Sequence, residues 1–147
     1  MKALKVLFVD DEIDFLETLM KRMKKRGVDA VGVGNGTQAL DYLNKQPVDV
    51  VVLDVRMPGI DGIQTLREIK RIDPLMEVIM LTGHASIDTA IEGMELGAFD
   101  YLMKPADFDE LFYKLQDASK RRTIQKQKIE KLGDLKLTDQ KKGAIST

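Results

Sequence analysis

The sequence predicts an α/β protein built on a doubly wound, five-stranded parallel sheet. Three observations carry that expectation. Short apolar blocks alternate five times with segments of helical spacing. The block "VDVVVL" (48–53) is apolar at nearly every position, as in a strand covered on both faces. Acids and glycines punctuate the joins where helices should start and stop.

The expected strands are 4–9, 30–33, 48–53, 76–81 and 99–103. The first helix, 12–26, places Ile13, Leu16, Leu19, Met20 and Met23 on one stripe. In 37–45 the stripe is Ala39, Leu40 and Leu43, and in 62–72 it is Ile63, Leu66, Ile69 and Ile72. Ile87, Ala90, Ile91 and Met94 serve 86–96, and Phe108, Leu111, Leu115 and Ala118 serve 107–120. Asp10 or Asp11 is the expected cap of the first helix, Asp61 of the third and Ser86 of the fourth. Gly27 and Gly97 suit helix C-termini. Right-handed crossovers then favour the strand order 2-1-3-4-5, a flavodoxin-like (βα)5 arrangement.

With 147 residues the chain suits one domain with a substantial core. The absence of Cys excludes disulfides, thiol chemistry and Cys-ligated zinc. No apolar run approaches the length of a membrane span, and the N-terminal apolar stretch ends in three acids, so it reads as a strand and not a signal peptide. A cytoplasmic location is expected. Residues 1–113 carry 13 Lys/Arg against 20 Asp/Glu, whereas 114–147 carry 10 against 4. A solvated helix end is the simpler reading of that basic segment; contact with an acidic partner or nucleic acid is the alternative.

Ligands of doubly wound sheets bind outside the carboxyl ends of strands, where the connections diverge. That edge should gather Asp10 and Asp11 from the first strand, Asp54 from the third, Thr82 from the fourth and Lys104 after the fifth. Carboxylates about 4 Å apart repel by up to roughly 4 kcal/mol per pair at an effective dielectric near 20. A bound cation relieves this, and hard oxygen ligands select Mg²⁺. A hydroxyl and an ammonium nearby suit the oxygens of a transferred phosphoryl group, with Asp54 as nucleophile.

Four stretches carry a family likeness: "FVDDE" (8–12), "LDVRMPGIDG" (53–62), "MLTGHAS" (80–86) and "GAFDYLMKP" (97–105). Together they resemble the receiver domain of two-component response regulators, over about the first 120 residues. The resemblance implies that Asp54 is the phosphoacceptor. It implies Asp11 as a direct ligand of Mg²⁺ (or Mn²⁺), Asp10 as a ligand through water, and the backbone carbonyl of Arg56 as the third protein ligand. Thr82 would be the switch hydroxyl, Tyr101 the switch aromatic and Lys104 the phosphate-binding lysine, with a cis bond before Pro105. Arg56 and His84, each two residues past a key position, are expected to tune phosphate loss. The implied partners are a sensor histidine kinase and a downstream protein or the chain's own output domain, with homodimerisation on phosphorylation and no direct nucleic-acid or membrane contact. The stretch 80–105 especially resembles receivers joined to enhancer-binding ATPases.

Competing readings are weaker. "GVGNGTQAL" (32–40) lacks the last glycine of a dinucleotide fingerprint and follows the wrong strand. Hydrolases with an Asp nucleophile want an acid two residues on, where this chain has Arg56. An unphosphorylated interaction module with this fold would usually lack an acid or the lysine, and none is missing. Positions 111, 115, 118, 122, 125, 129 and 132 follow a heptad, but Arg122 and Gln125 interrupt it, so 121–147 reads as a basic helical extension more than a dimer coil. After Gly133 the low apolar content predicts disorder.

Overall fold

A computed structural model describes residues 3–55, 61–83 and 87–145, the stretch 137–145 as helical backbone only. The elements alternate: β1 (Lys5–Val9), α1 (Ile13–Lys25), β2 (Asp29–Val33), α2 (Gly36–Lys45), β3 (Val50–Leu53), α3 (Gly62–Ile72), β4 (Glu77–Thr82), α4 (Ile87–Glu95), β5 (Asp100–Met103) and α5 (Phe108–Ile145). The strands form one parallel sheet in the order β2-β1-β3-β4-β5, as the sequence predicts.

Strand side chains alternate faces, so β3 divides its residues between two cores. Val51 and Leu53 join Leu7, Val9, Val78 and Met80 beneath α2, α3 and α4, where Ala39, Ile63, Leu66 and Ile69 pack. Val50 and Val52 join Val6, Phe8, Ile79 and Leu81 beneath α1 and α5, where Leu16, Met23, Leu111, Leu115 and Ala118 pack. This is why β3 is apolar throughout.

The helix C-termini at Gly27 and Gly97 are as expected. Both glycines have positive φ, 85° and 98°, and both ends close with paired backbone bonds, Val28 N–H to Met23 O and Gly27 N–H to Lys24 O in the first. Asp61 caps α3 by accepting from Gln64 N–H at 2.7 Å. Ser86 lies outside the described residues. The cap of α1 is a correction: Glu12 holds that position and makes no side-chain cap bond, because Asp10 is committed elsewhere. The glycine-rich stretch before α2 is a cap, with Asn35 accepting from Gln38 N–H and Gln38 accepting from Gly34 N–H.

Gly62 opens α3. Its backbone is not in the left-handed region; it is glycine because α3 approaches the end of β3 closely. A Cβ there would stand 2.4 Å from both Asp54 O and Val55 Cα. Gly62 N–H also donates to Val55 O at 2.9 Å.

The long helix α5 differs from expectation in its length. It stays helical past Gly133 to Ile145, where disorder was predicted; its residues from 125 to 136 are exposed, so this stretch continues the helix without packing. The first half of the heptad positions faces inward, as the apolar stripe of 107–120 predicts. Leu111, Leu115 and Ala118 lie in the core, and Arg122 donates from Nη2 to Asp73 Oδ2 at 2.9 Å. Arg121 pairs through Nε and Nη2 with Glu77, a buried acid at the start of β4, which Lys70 approaches at 3.8 Å. Arg122, which breaks the heptad, and its neighbour Arg121 therefore dock α5 on its own domain.

Two substitutions test these contacts. Arg121→Ala leaves Glu77 buried with only Lys70 near, and should cost about 1–3 kcal/mol in urea unfolding, recovered in part by adding Glu77→Gln; a loss below about 0.5 kcal/mol would mean that the pair does not anchor α5. Gly62→Ala meets unyielding backbone and should cost about 3 kcal/mol; a neutral effect would show that the α3–β3 junction is looser than described.

Candidate functional site

The site stands at the carboxyl edge of β1 and β3, which are paired so that Val9 faces Leu53. The next residue of each chain still holds to the sheet. Asp10 N–H donates to Val33 O at 3.1 Å, and Asp54 N–H donates to Val9 O at 2.9 Å. Both aspartates are thus fixed by backbone, and each is only 5% exposed. Thr82 ends β4 and is fully buried. Lys104 N–H donates to Thr82 O at 2.8 Å, which fixes where the lysine leaves the sheet, and the Lys104–Pro105 bond is cis.

From there the Lys104 side chain turns into the acids. Its Nζ lies 2.6 Å from Asp10 Oδ2, 3.2 Å from Glu12 Oε1 and 3.8 Å from Asp54 Oδ2, and 4.2 Å from the centre of the Phe15 ring. The lysine side chain is only 10% exposed. Burial pulls its pKa down, but the hydrogen bond and charge of Asp10, with Asp54 and Glu12, outweigh burial and raise it above the ordinary lysine value. Lys104 is a fixed positive charge.

One carboxylate oxygen each from Asp10, Glu12 and Asp54 lie within 4.8 Å of one another. The sequence reading placed Asp11 in this group and passed over Glu12. The reason is local. Asp10 Oδ1 accepts from Glu12 N–H at 2.9 Å, an Asx turn that brings Glu12 back over the site and leaves Asp11 exposed outside the cluster. The only sequence signal was the third acid of "DDE". The cluster offers hard oxygen donors within one ion's reach, and these fit Mg²⁺.

Tyr101 lies on β5 beside the same edge. Burial and the charge of Asp54 raise its phenol pKa, and its buried hydroxyl has no hydrogen-bond partner among the described residues. A Cβ at Gly83 would come no nearer than 3.9 Å to Lys104, so a larger residue fits there. Arg56 and His84 lie outside the described residues.

Residues 6–116 match the family model for the response regulator receiver domain. The chain is 41% identical over 113 residues to the transcriptional regulatory protein ZraR of Klebsiella oxytoca, which spans 77% of this chain and 26% of that protein. It is 37% identical over 132 residues to a putative NtrX-like response regulator of Rickettsia felis, spanning 88% and 28%. The chain therefore spans about a quarter of the length of the curated relatives it matches. Among solved structures, a receiver domain from Clostridium thermocellum superposes with a TM-score of 0.78 at 36% identity, covering 82% of this chain and 98% of that one. NtrX from Brucella abortus, solved with ADP, gives 0.81 at 29% identity, covering 89% and 30%. With its sheet order, its paired strand-end aspartates and these matches, the chain belongs to the response regulator receiver domains of two-component systems.

Proposed function

We propose that Asp54 accepts a phosphoryl group from a sensor histidine kinase in the presence of Mg²⁺, and that this modification switches the surface formed by α4, β5 and α5. The observation that carries the reading is the Lys104 ammonium, hydrogen-bonded to Asp10 and 3.8 Å from Asp54. A phosphoryl group on Asp54 would carry its new charge to a neighbouring cation that reaches it by a side-chain shift off Asp10, with no reorganisation of the backbone. Asp54 is itself held rigidly by the β1–β3 ladder and by the close approach of Gly62.

Asp10 and Asp54 would hold the Mg²⁺ (or Mn²⁺), with Glu12 of the same cluster within reach; Asp11, exposed beside the cluster, would join as a direct ligand by turning inward, and the backbone carbonyl of Arg56 would be a further ligand. The ion would supply neutralising charge and orientation for the phosphoryl oxygens. Thr82, buried at the end of β4, is the hydroxyl that a phosphoryl oxygen would recruit, and Tyr101 is the aromatic that would respond. Arg56 and His84 would tune phosphate loss. The surface that changes carries exposed Ile87, Ile91 and Met103, a fit for a downstream protein, an output domain or a second copy. The domain's chemistry is confined to its own aspartate, without turnover of a separate substrate.

One of the longer relatives, ZraR, is a transcriptional regulatory protein by name, which supports a transcriptional output through a further part of a longer protein. Nucleic-acid contact would then fall to that part. No helix among the described residues is long and apolar enough to cross a membrane, and a cytoplasmic site of action fits a histidine kinase partner.

Incubation with acetyl phosphate and Mg²⁺ should add one phosphoryl mass in an intact-mass measurement, and Asp54→Ala or a chelator should abolish the gain. Should neither acetyl phosphate nor a panel of histidine kinases modify the wild type, the phosphoacceptor role would be wrong.

A further inference from the structure

One turn at the start of α1 presents two different side chains to Lys104. Glu12 offers a carboxylate at 3.2 Å, and Phe15 offers the face of its ring at 4.2 Å, well inside the range of a cation–π contact. Glu12 is 64% exposed, so solvent screens it. The ring is not free to move: Phe15 packs against the core beneath α1 and α5. The ammonium is thus held on Asp10 from one side by a solvent-exposed charge and from the other by an aromatic ring packed on the core.

The position matters because the same oxygens would bind a divalent cation. An ammonium about 4 Å from such an ion would repel it by up to roughly 8 kcal/mol at an effective dielectric near 20. Cation entry must therefore shift Lys104 off Asp10, and whatever holds the ammonium there opposes entry. Asp10 and Glu12 also attract the cation, so their removal acts in both directions. Phe15 is neutral and acts only on Lys104. We propose that Phe15 is a positioning residue: its ring holds the Lys104 ammonium on Asp10 and so raises the Mg²⁺ concentration at which the site fills. This rests on the reading that Asp10 and Asp54 take Mg²⁺.

The test is a calorimetric Mg²⁺ titration of the full chain as wild type, Phe15→Leu and Phe15→Tyr, with NMR of the Lys104 ε-methylene protons. Phe15→Leu should lower the Mg²⁺ Kd about three- to tenfold, and Phe15→Tyr should restore the wild-type value to within about twofold. The ε protons should show an upfield ring-current shift in wild type and Phe15→Tyr, absent in Phe15→Leu. In wild type that shift should diminish as Mg²⁺ saturates, a readout that needs no variant. An unchanged or weaker Kd in folded Phe15→Leu, or a ring-current shift in wild type that is absent or indifferent to Mg²⁺, would overturn the proposal. A wild type that takes up no Mg²⁺ at all would overturn the metal reading and this proposal with it.

Discussion

The Asp10 and Asp54 carboxylates stand on adjacent strand ends, almost out of water, with Lys104 reaching both. At roughly 5 Å and an effective dielectric near 20, two such charges repel by about 3 kcal/mol. Neither can withdraw, because each backbone N–H is bonded into the sheet. The repulsion is relieved by charge brought from elsewhere in the sequence. Lys104 comes from 94 residues beyond Asp10, and it can do so because β5 is laddered to β4 through Thr82. The strand order is thus what makes the local charge balance possible.

The far edge of the sheet repeats the principle with a structural purpose. Glu77 is buried at the start of β4 and is met by Arg121 and Lys70, while Arg122 bonds Asp73 before β4. These contacts clamp α5 at the point where it leaves the domain. Its exposed continuation, with Ile124, Ile129, Leu132 and Leu135 at the surface, therefore departs in a direction fixed by the receiver fold. The start of β4 and the body of α5 are thus joined by charged contacts as well as by packing.

Most of the fold was legible because period and punctuation act locally. Alternating cores explain β3, and glycines at positive φ explain the ends of α1 and α4. The gathering of Asp10, Asp54, Thr82 and Lys104 was legible because topology alone brings strand ends together. What escaped depended on side-chain direction. Asp11 and Glu12 are indistinguishable by pattern, and only the Asx turn of Asp10 decides which one faces the lysine. The glycine at position 62 answers to a backbone approach that no spacing reveals. The inward turn of Arg122 depends on Asp73, an acid that helical periodicity does not connect with it. Phe15 reads as one more apolar residue until Lys104 is seen against its face.

Lys104 is a cation held by Asp10 and Asp54 against the cost of its burial. The most direct measurement is an NMR titration of the Lys104 ε-carbon in chelator-treated protein, compared with an Asp10→Asn, Asp54→Asn double variant. Wild type should show a pKa above that of an ordinary lysine, falling clearly in the double variant, where burial is left with little to oppose it. An ordinary lysine titration in both proteins would contradict it, because the ammonium would then be solvated and not bound to the acids.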